Sequence, residues 1–117
     1  MTDGASQGAM KAALQAYVDG INRGDAQAVI ALFADDAVIE DPVGTPPKRG
    51  REIIDWFHQA VAMGAHLVPI GPPRGSHGNA AALAFIVTTD WEGERTSIHS
   101  LDTCLFDGMG KIVELKG

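Results

Sequence analysis

Four histidines, His58, His66, His77 and His99, a single cysteine, Cys104, and a single tyrosine, Tyr17, are the first places to look for chemistry in this sequence. The histidines have no HExxH or similar ligand spacing, so no metal centre is expected. One cysteine rules out thiolate clusters and an internal disulfide, and Cys104 reads as a small core residue. No glycine-rich loop follows a strand and opens a helix, so nothing supports nucleotide binding. Three oxygen-bearing side chains on otherwise apolar surfaces remain: Tyr17, Asp41 and Asp102. The chemistry open to them is proton transfer and hydrogen-bond donation. Each also has a plainer reading. Tyr17 can be a core tyrosine whose hydroxyl meets a backbone carbonyl. Asp41, which precedes Pro42 in "VIEDPVGTPP", can be a turn former. Asp102 can be an exposed charge on an edge strand.

The elements that must position these residues follow from hydrophobic periodicity. Met10, Leu14, Tyr17, Val18 and Ile21 recur at helical spacing, so Ala9–Arg23 is expected to be an amphipathic helix with Tyr17 on its buried stripe. Gly24 can close it, and Asp25 can cap a second helix, Ala26–Phe33. "AVIE", ending at Glu40, is too short for a helix and reads as a strand. Gly50 precedes a third helix, Arg51–Gly64, with Ile53, Trp56, Phe57 and Ala60 on one side. "HLVPI" is a short strand and "GPPRGSHGN" is turn chemistry. "AALAFIVTTDW" and "RTSIHSLDTCLF" read as long strands joined by the tight "EGE" turn, and "DGMG" leads into "KIVELK". In the second long strand the period of two puts Asp102 on a face with Ile98, Ser100, Cys104 and Phe106, and Leu101 and Leu105 on the other. A carboxylate on a half-apolar face must be paired or protonated.

Helices followed by an antiparallel run of strands is the α+β pattern, here three N-terminal helices on a curved antiparallel sheet. The pattern permits a one-ended apolar cavity without requiring it. The 117 residues suit one domain, 1–117, with a real core. A formal charge of −6 argues against nucleic acid and against a polybasic membrane patch. "MTDGASQG" lacks the basic and apolar regions of a secretory leader, and no apolar run approaches the ~20 residues that span a bilayer. A cytoplasmic protein is expected.

The segments "AYVDGINRGD", "ALFADDAVIEDPVG", "RGREII" and "LDTCLFDGMGKI" occur in that order. In this the chain resembles the ketosteroid isomerases, a family of the cone-shaped superfamily that includes nuclear transport factor and scytalone dehydratase. The resemblance covers nearly the whole chain. Its specific elements are the carboxylate–proline–apolar–glycine run after "ADDA" and an Asp ahead of "FDGMGKI". By matching motif position, the family's general base falls on Asp41, its oxyanion tyrosine on Tyr17 and its oxyanion carboxylic acid on Asp102.

What the resemblance implies is a steroid Δ-isomerase that converts 3-oxo-Δ5-steroids to conjugated 3-oxo-Δ4-steroids. Asp41 would carry the proton from C4 to C6 over the steroid face. Tyr17 and a neutral Asp102 would donate hydrogen bonds to the dienolate oxygen. The family is an established example of a carboxylic acid kept neutral for this purpose. Phe57, Phe85, Val87 and Trp91 are the expected walls of the pocket. No cofactor is needed, and the expected partner is a small hydrophobic substrate.

Two departures from the family bear on the site. Phe33 and His58 stand where bacterial relatives often hold further tyrosines, so the donor network behind Tyr17 is expected to be shorter, with His58 able to supply part of it. Relatives usually continue past the last strand with aromatic residues that line the pocket, so at Gly117 either a truncated chain or a looser pocket is expected. The same cone also houses binding proteins for hydrophobic small molecules. Others of its members are polyketide cyclases and dehydratases that lean on His–Asp pairs, in which His99 or His58 would serve. The strand face around Leu101 and Leu105 has no helix left to cover it, so a homodimer through that face is expected.

Overall fold

The structure is a computed structural model that describes residues 6–117, so the leader-free reading of "MTDGASQG" lies mostly outside the described residues. The first helix, α1, runs Gln7–Asn22. The Ser6 hydroxyl starts it by accepting the Ala9 N–H at 3.1 Å, and Gly24, at φ 73°, turns the chain away after its end. Met10, Leu14, Tyr17, Val18 and Ile21 form its buried stripe. Asp25 caps α2 by accepting the Ala28 N–H at 3.0 Å. This helix is shorter than its periodicity suggests. It spans only Ala26–Ile30, because Phe33 is drawn into a strand, β1 (Phe33–Glu40), and the Leu32 carbonyl accepts the N–H of Ile112. β1 is correspondingly longer than "AVIE". Its register shifts between Phe33 and Val38, and the exposed Asp35 and Asp36 there disguise the alternation.

A two-residue strand, β2 (Lys48–Arg49), precedes α3, which runs Arg51–Ala62 and ends two residues before the expected Gly64. The remaining strands are β3 (His66–Pro69), β4 (Arg74–Gly75), β5 (Ala80–Trp91), β6 (Glu94–Phe106) and β7 (Ile112–Lys116). The two-residue strands β2 and β4 are too short to leave a pattern of their own in the sequence.

The sheet is ordered β2-β1-β7-β6-β5-β3, with β4 also on β5, so its ends do not meet. The chain is thus α+β, with three helices among the described residues on a curved, open sheet. The sheet is mixed, and this corrects the wholly antiparallel expectation. β7 lies beside β1 in the same direction, whereas all other pairs are antiparallel. The cause is connectivity. β1 leaves the sheet for α3, and the last strand returns between β1 and β6 after an intervening run of strands.

β5 and β6 form a hairpin paired along the whole of β5, with Leu83 opposite Asp102 and Trp91 opposite Glu94. Helix α1 lies across β3, β4 and β5, and its end is fastened by Asn22, whose amide donates to the Leu67 carbonyl and accepts the Leu67 N–H at 2.8 and 2.7 Å. Between helices and sheet, Met10, Leu14, Ile39, Phe57, Phe106 and Leu115 are essentially without exposed surface. On the far face of the sheet Leu101 (56% exposed), Leu105, Val68 and Ile70 face outward uncovered. Among the described residues no helix is long and apolar enough to cross a membrane.

Candidate active site

A cavity of about 840 Å³ lies between α1, α3 and the inner face of the sheet. That is large enough for a four-ring ligand. Tyr17 reaches it from the middle of α1, Asp41 from the end of β1 and Asp102 from the middle of β6, so three distant stretches of sequence meet at one end. Phe57, Phe85, Val87 and Trp91 line it as well. Phe57 and Phe85 are buried, whereas Trp91 is 58% exposed and lies at the open end.

The alternation of β6 explains Asp102. Asp102, Cys104 and Phe106 turn inward while Leu101 and Leu105 turn out. Asp102 is 3% exposed, and its Oδ1 makes no hydrogen bond among the described residues. Burial raises its pKa to about 8, and the Asp41 carboxylate pushes in the same direction. At neutral pH this carboxyl therefore keeps its proton. The Asp41 carboxyl is only partly buried. Desolvation also raises its pKa, but the Lys48 ammonium pulls it back down. The two carboxyl groups are thereby pushed apart, and Asp41 is the one that ionises first. Tyr17 is held neutral far into alkali by burial first, then by Asp102, Asp41 and Cys104. The Cys104 thiol is likewise pushed up by burial and then by Asp102, so it stays a protonated core group and not a nucleophile.

The loop carrying Asp41 is tied on several sides. The Glu40 carboxylate accepts the Gly44 N–H at 2.9 Å, the Thr45 hydroxyl donates to the Pro42 carbonyl at 2.6 Å, and Lys48 Nζ donates to the Asp41 carbonyl at 3.0 Å. The Asp41–Pro42 peptide is cis. Gly117, just after β7, brackets this peptide. Its N–H donates to the Glu40 carbonyl at 3.1 Å and its carbonyl accepts the Val43 N–H at 2.8 Å. A Cβ on Gly117 would collide with Asp102 Oδ1 and sit 3.2 Å from the Asp41 carboxyl. Only glycine leaves the two acids facing the same space here.

Neither Lys48 nor Gly117 was found by reading the sequence. Their signals, a basic residue past a Pro-rich loop and a glycine after the last strand, are too common to single out. One expectation is corrected. His58 is exposed on α3 and supplies nothing behind Tyr17. Phe57, one position earlier, takes that place, its ring edge-on to Tyr17 at 5.8 Å, with Phe33 behind it at 5.3 Å. The donor network behind Tyr17 is therefore replaced by two phenyl rings. His99 is exposed and alternates to the face of β6 opposite Asp102, so the two form no His–Asp pair.

Residues 14–115 match the model of the SnoaL-like domain. A steroid Δ-isomerase of Nocardioides simplex is 36% identical to the chain over 107 residues, covering 92% of this chain and 86% of that one. Among solved structures, an epoxide hydrolase/cyclase-like enzyme with a role in pyran-ring formation in the polyether salinomycin superposes with a TM-score of 0.84. It is 26% identical and covers 92% of this chain and 87% of its own.

Proposed function

The chain belongs to the SnoaL-like domain family, and from that premise we propose that it is a steroid Δ-isomerase working through Asp41, Tyr17 and Asp102. The observation that carries this reading is the pair of acids at one end of an apolar cavity. One of them is poised to ionise, and the other is buried, protonated and has an unpartnered oxygen. A neutral carboxyl with no acceptor is a hydrogen-bond donor waiting for an oxygen. A ketone carbonyl entering between Asp102 and Tyr17 supplies it.

The reaction then needs only these groups. Asp41 removes the C4 proton of a 5-ene-3-ketosteroid, and the C4–H electrons move toward O3 to give a dienolate. Tyr17 and Asp102 stabilise the developing oxyanion by hydrogen bonds, without transferring their protons. Asp41 returns the proton at C6, and the double bond comes to rest between C4 and C5, in conjugation. No atom is gained or lost, and no cofactor enters the balance. Phe57, Phe85 and Val87 supply the apolar walls that keep the two carboxyl groups poorly solvated, and Trp91 extends those walls to the open end.

Ultraviolet absorbance after mixing the protein with a 5-ene-3-ketosteroid tests this, because the conjugated enone absorbs strongly and the substrate does not. Growth of the enone band at a rate proportional to protein supports the reading, and an unchanged spectrum rejects it. The neighbour with a role in pyran-ring formation favours, as a second reading, a cyclase that uses the same acids on a polyketide-like substrate. Turnover of a cyclisable epoxide without any isomerisation would select it.

The partner surface belongs to the same proposal. Leu101 and Leu105 on β6 and Val68 on β3, with Ile70 just after it, flank β5 on the outer face, Val68 opposite Ile86 and Ala84 opposite Leu101. An uncovered apolar face of this kind fits a second copy of the chain. Sedimentation of a species of twice the 12.3 kDa chain mass is expected, reverting to the monomer when Leu101→Lys is introduced.

A further inference from the structure

Lys48 carries an inference about how Asp41 is held in readiness. β2 is only two residues long, yet its first residue is seated on both sides. The Lys48 ammonium donates to the backbone carbonyl of Asp41 at 3.0 Å and lies 4.3 Å above the centre of the Trp56 ring. Trp56 comes from α3 and lines the cavity, so the cation bridges the cavity wall and the residue that carries the base. A flexible lysine does not stay in one rotamer for a single surface hydrogen bond. An aromatic face beneath the ammonium gives it a second reason to stay.

We infer that Lys48 is a positioning residue for the base, clamping the Asp41 backbone against Trp56 and so holding a positive charge close to the residue that carries the base. The inference rests on the isomerase reading for its kinetic consequence, though not for its electrostatic one. The charge balance around Asp41 makes Lys48 decisive. Asp41 faces Asp102 from β6 and Tyr17 from α1, and neither brings positive charge. The adjacent Glu40 is turned to the Gly44 N–H, and Lys116 on β7 is paired with Glu114. α3 presents the neutral Trp56 on this side, while its Arg51 pairs with Asp55. Among the described residues Lys48 is thus the cation that lowers the proton affinity of Asp41 against the desolvation that raises it.

The experiment combines kinetics with a measurement that needs no turnover. The pH profile of kcat/KM and the carbon-13 titration of the Asp41 carboxyl are recorded for the wild-type protein, Lys48→Met, Lys48→Arg and Trp56→Leu. The Asp41 signal is assigned by its loss in Asp41→Asn. In Lys48→Met the Asp41 titration and the acidic limb of the profile move together to higher pH, and kcat/KM at a pH below the limb falls on the order of tenfold. Lys48→Arg keeps charge and stacking and restores the wild-type limb. Trp56→Leu removes the seat and moves the limb part of the way. An unmoved Asp41 titration in a folded Lys48→Met protein overturns the inference. If Lys48→Met fails to fold, an unmoved titration in Trp56→Leu overturns it instead. Should the wild-type protein not isomerise steroids, that reading falls by itself, and the carboxyl titration still decides the role of Lys48.

Discussion

The two ends of the cavity are built on opposite plans. At the closed end, Asp102, Tyr17 and Phe57 have almost no exposed surface, and the polar groups among them are shifted in pKa by burial. At the open end, Trp91 and Ile98 are more than half exposed, and the charged Asp90 and Arg95 are paired with one another in solvent. Both ends include residues of the β5–β6 hairpin, so the contrast follows what covers those strands. Helix α1 packs on β5, and β7 pairs with β6 at the end remote from the tip, which is left bare. The largest shifts in proton affinity, those of Tyr17, Asp102 and Cys104, fall where the cover is most complete, and the half-buried Asp41 is shifted less. Chemistry is therefore expected at the closed end, and simple apolar contact at the tip.

Substitutions at the closed end are expected to break function, and those at the open end only to trim it. The largest effect belongs to Asp41→Asn, which keeps shape and polarity but removes the proton acceptor. In a steady-state assay kcat falls by about 10²–10⁴-fold, while a planar steroid-like phenol still binds. Near-normal turnover would remove the chemical distinction between the ends. Next comes Asp102→Leu, which deletes a donor and costs on the order of 2–4 kcal/mol in kcat/KM, while Asp102→Asn retains most of it. Equal damage from Asn and Leu would mean that the proton or the charge of Asp102 is used and not its hydrogen bond.

A third expectation concerns pH and uses the raised proton affinity of Asp102. Below its ordinary value near 3.8 this carboxyl is protonated in both folded and unfolded chains, and it costs nothing. Between there and about 8 the unfolded chain releases the proton and the folded one keeps it. Stability is then lost at up to about 1.4 kcal/mol per pH unit. Asp102→Asn has no such slope, so its melting temperature relative to wild type should rise across that window. A constant difference would place Asp102 in water. The kinetic counterpart is an alkaline limb near pH 8 in the wild-type profile that Asp102→Asn lacks. The smallest effect is that of Trp91→Ala at the tip. More than half exposed, this side chain is expected to cost about 1 kcal/mol or less, in KM alone.

Legibility in the sequence follows the same division by cover. Helical spacing puts Tyr17 on the buried stripe of α1, and the period of two puts Asp102 with Cys104 and Phe106, because both elements are regular and have one buried face. Asp41 is not regular, and only the resemblance marks it. What escapes is whatever depends on non-local closure. The parallel meeting of β1 and β7 brings Gly117 beside Asp41, and it leaves no periodic trace. Gly117 acts through its backbone and its missing side chain, and Lys48 through a carbonyl seven positions earlier. The error at His58 has a simpler cause. Consecutive helical residues differ by about 100° in direction, so an alignment offset of one moves a residue from the core to solvent. The early start of β1 was hidden in the same way, by a register shift that carries Asp35 and Asp36 outward.

The β5–β6 hairpin has a consequence for how this architecture can change. Its register is anchored at the end remote from the tip, where Asn79 meets the Phe106 backbone and β7 pairs with Thr103 to Phe106. Asp102 sits beside that anchor, and the Glu92–Gly93 turn lies at the free end. Residues inserted or deleted in matched pairs at the turn would lengthen or shorten the rim while every rung near Asp102 keeps its partner. A single insertion between Ser100 and Phe106, by contrast, would invert the acid and its neighbours to the outer face. Changes in rim length are therefore tolerated at the tip and excluded at the anchor, so one floor of acids can be inherited beneath many different rims.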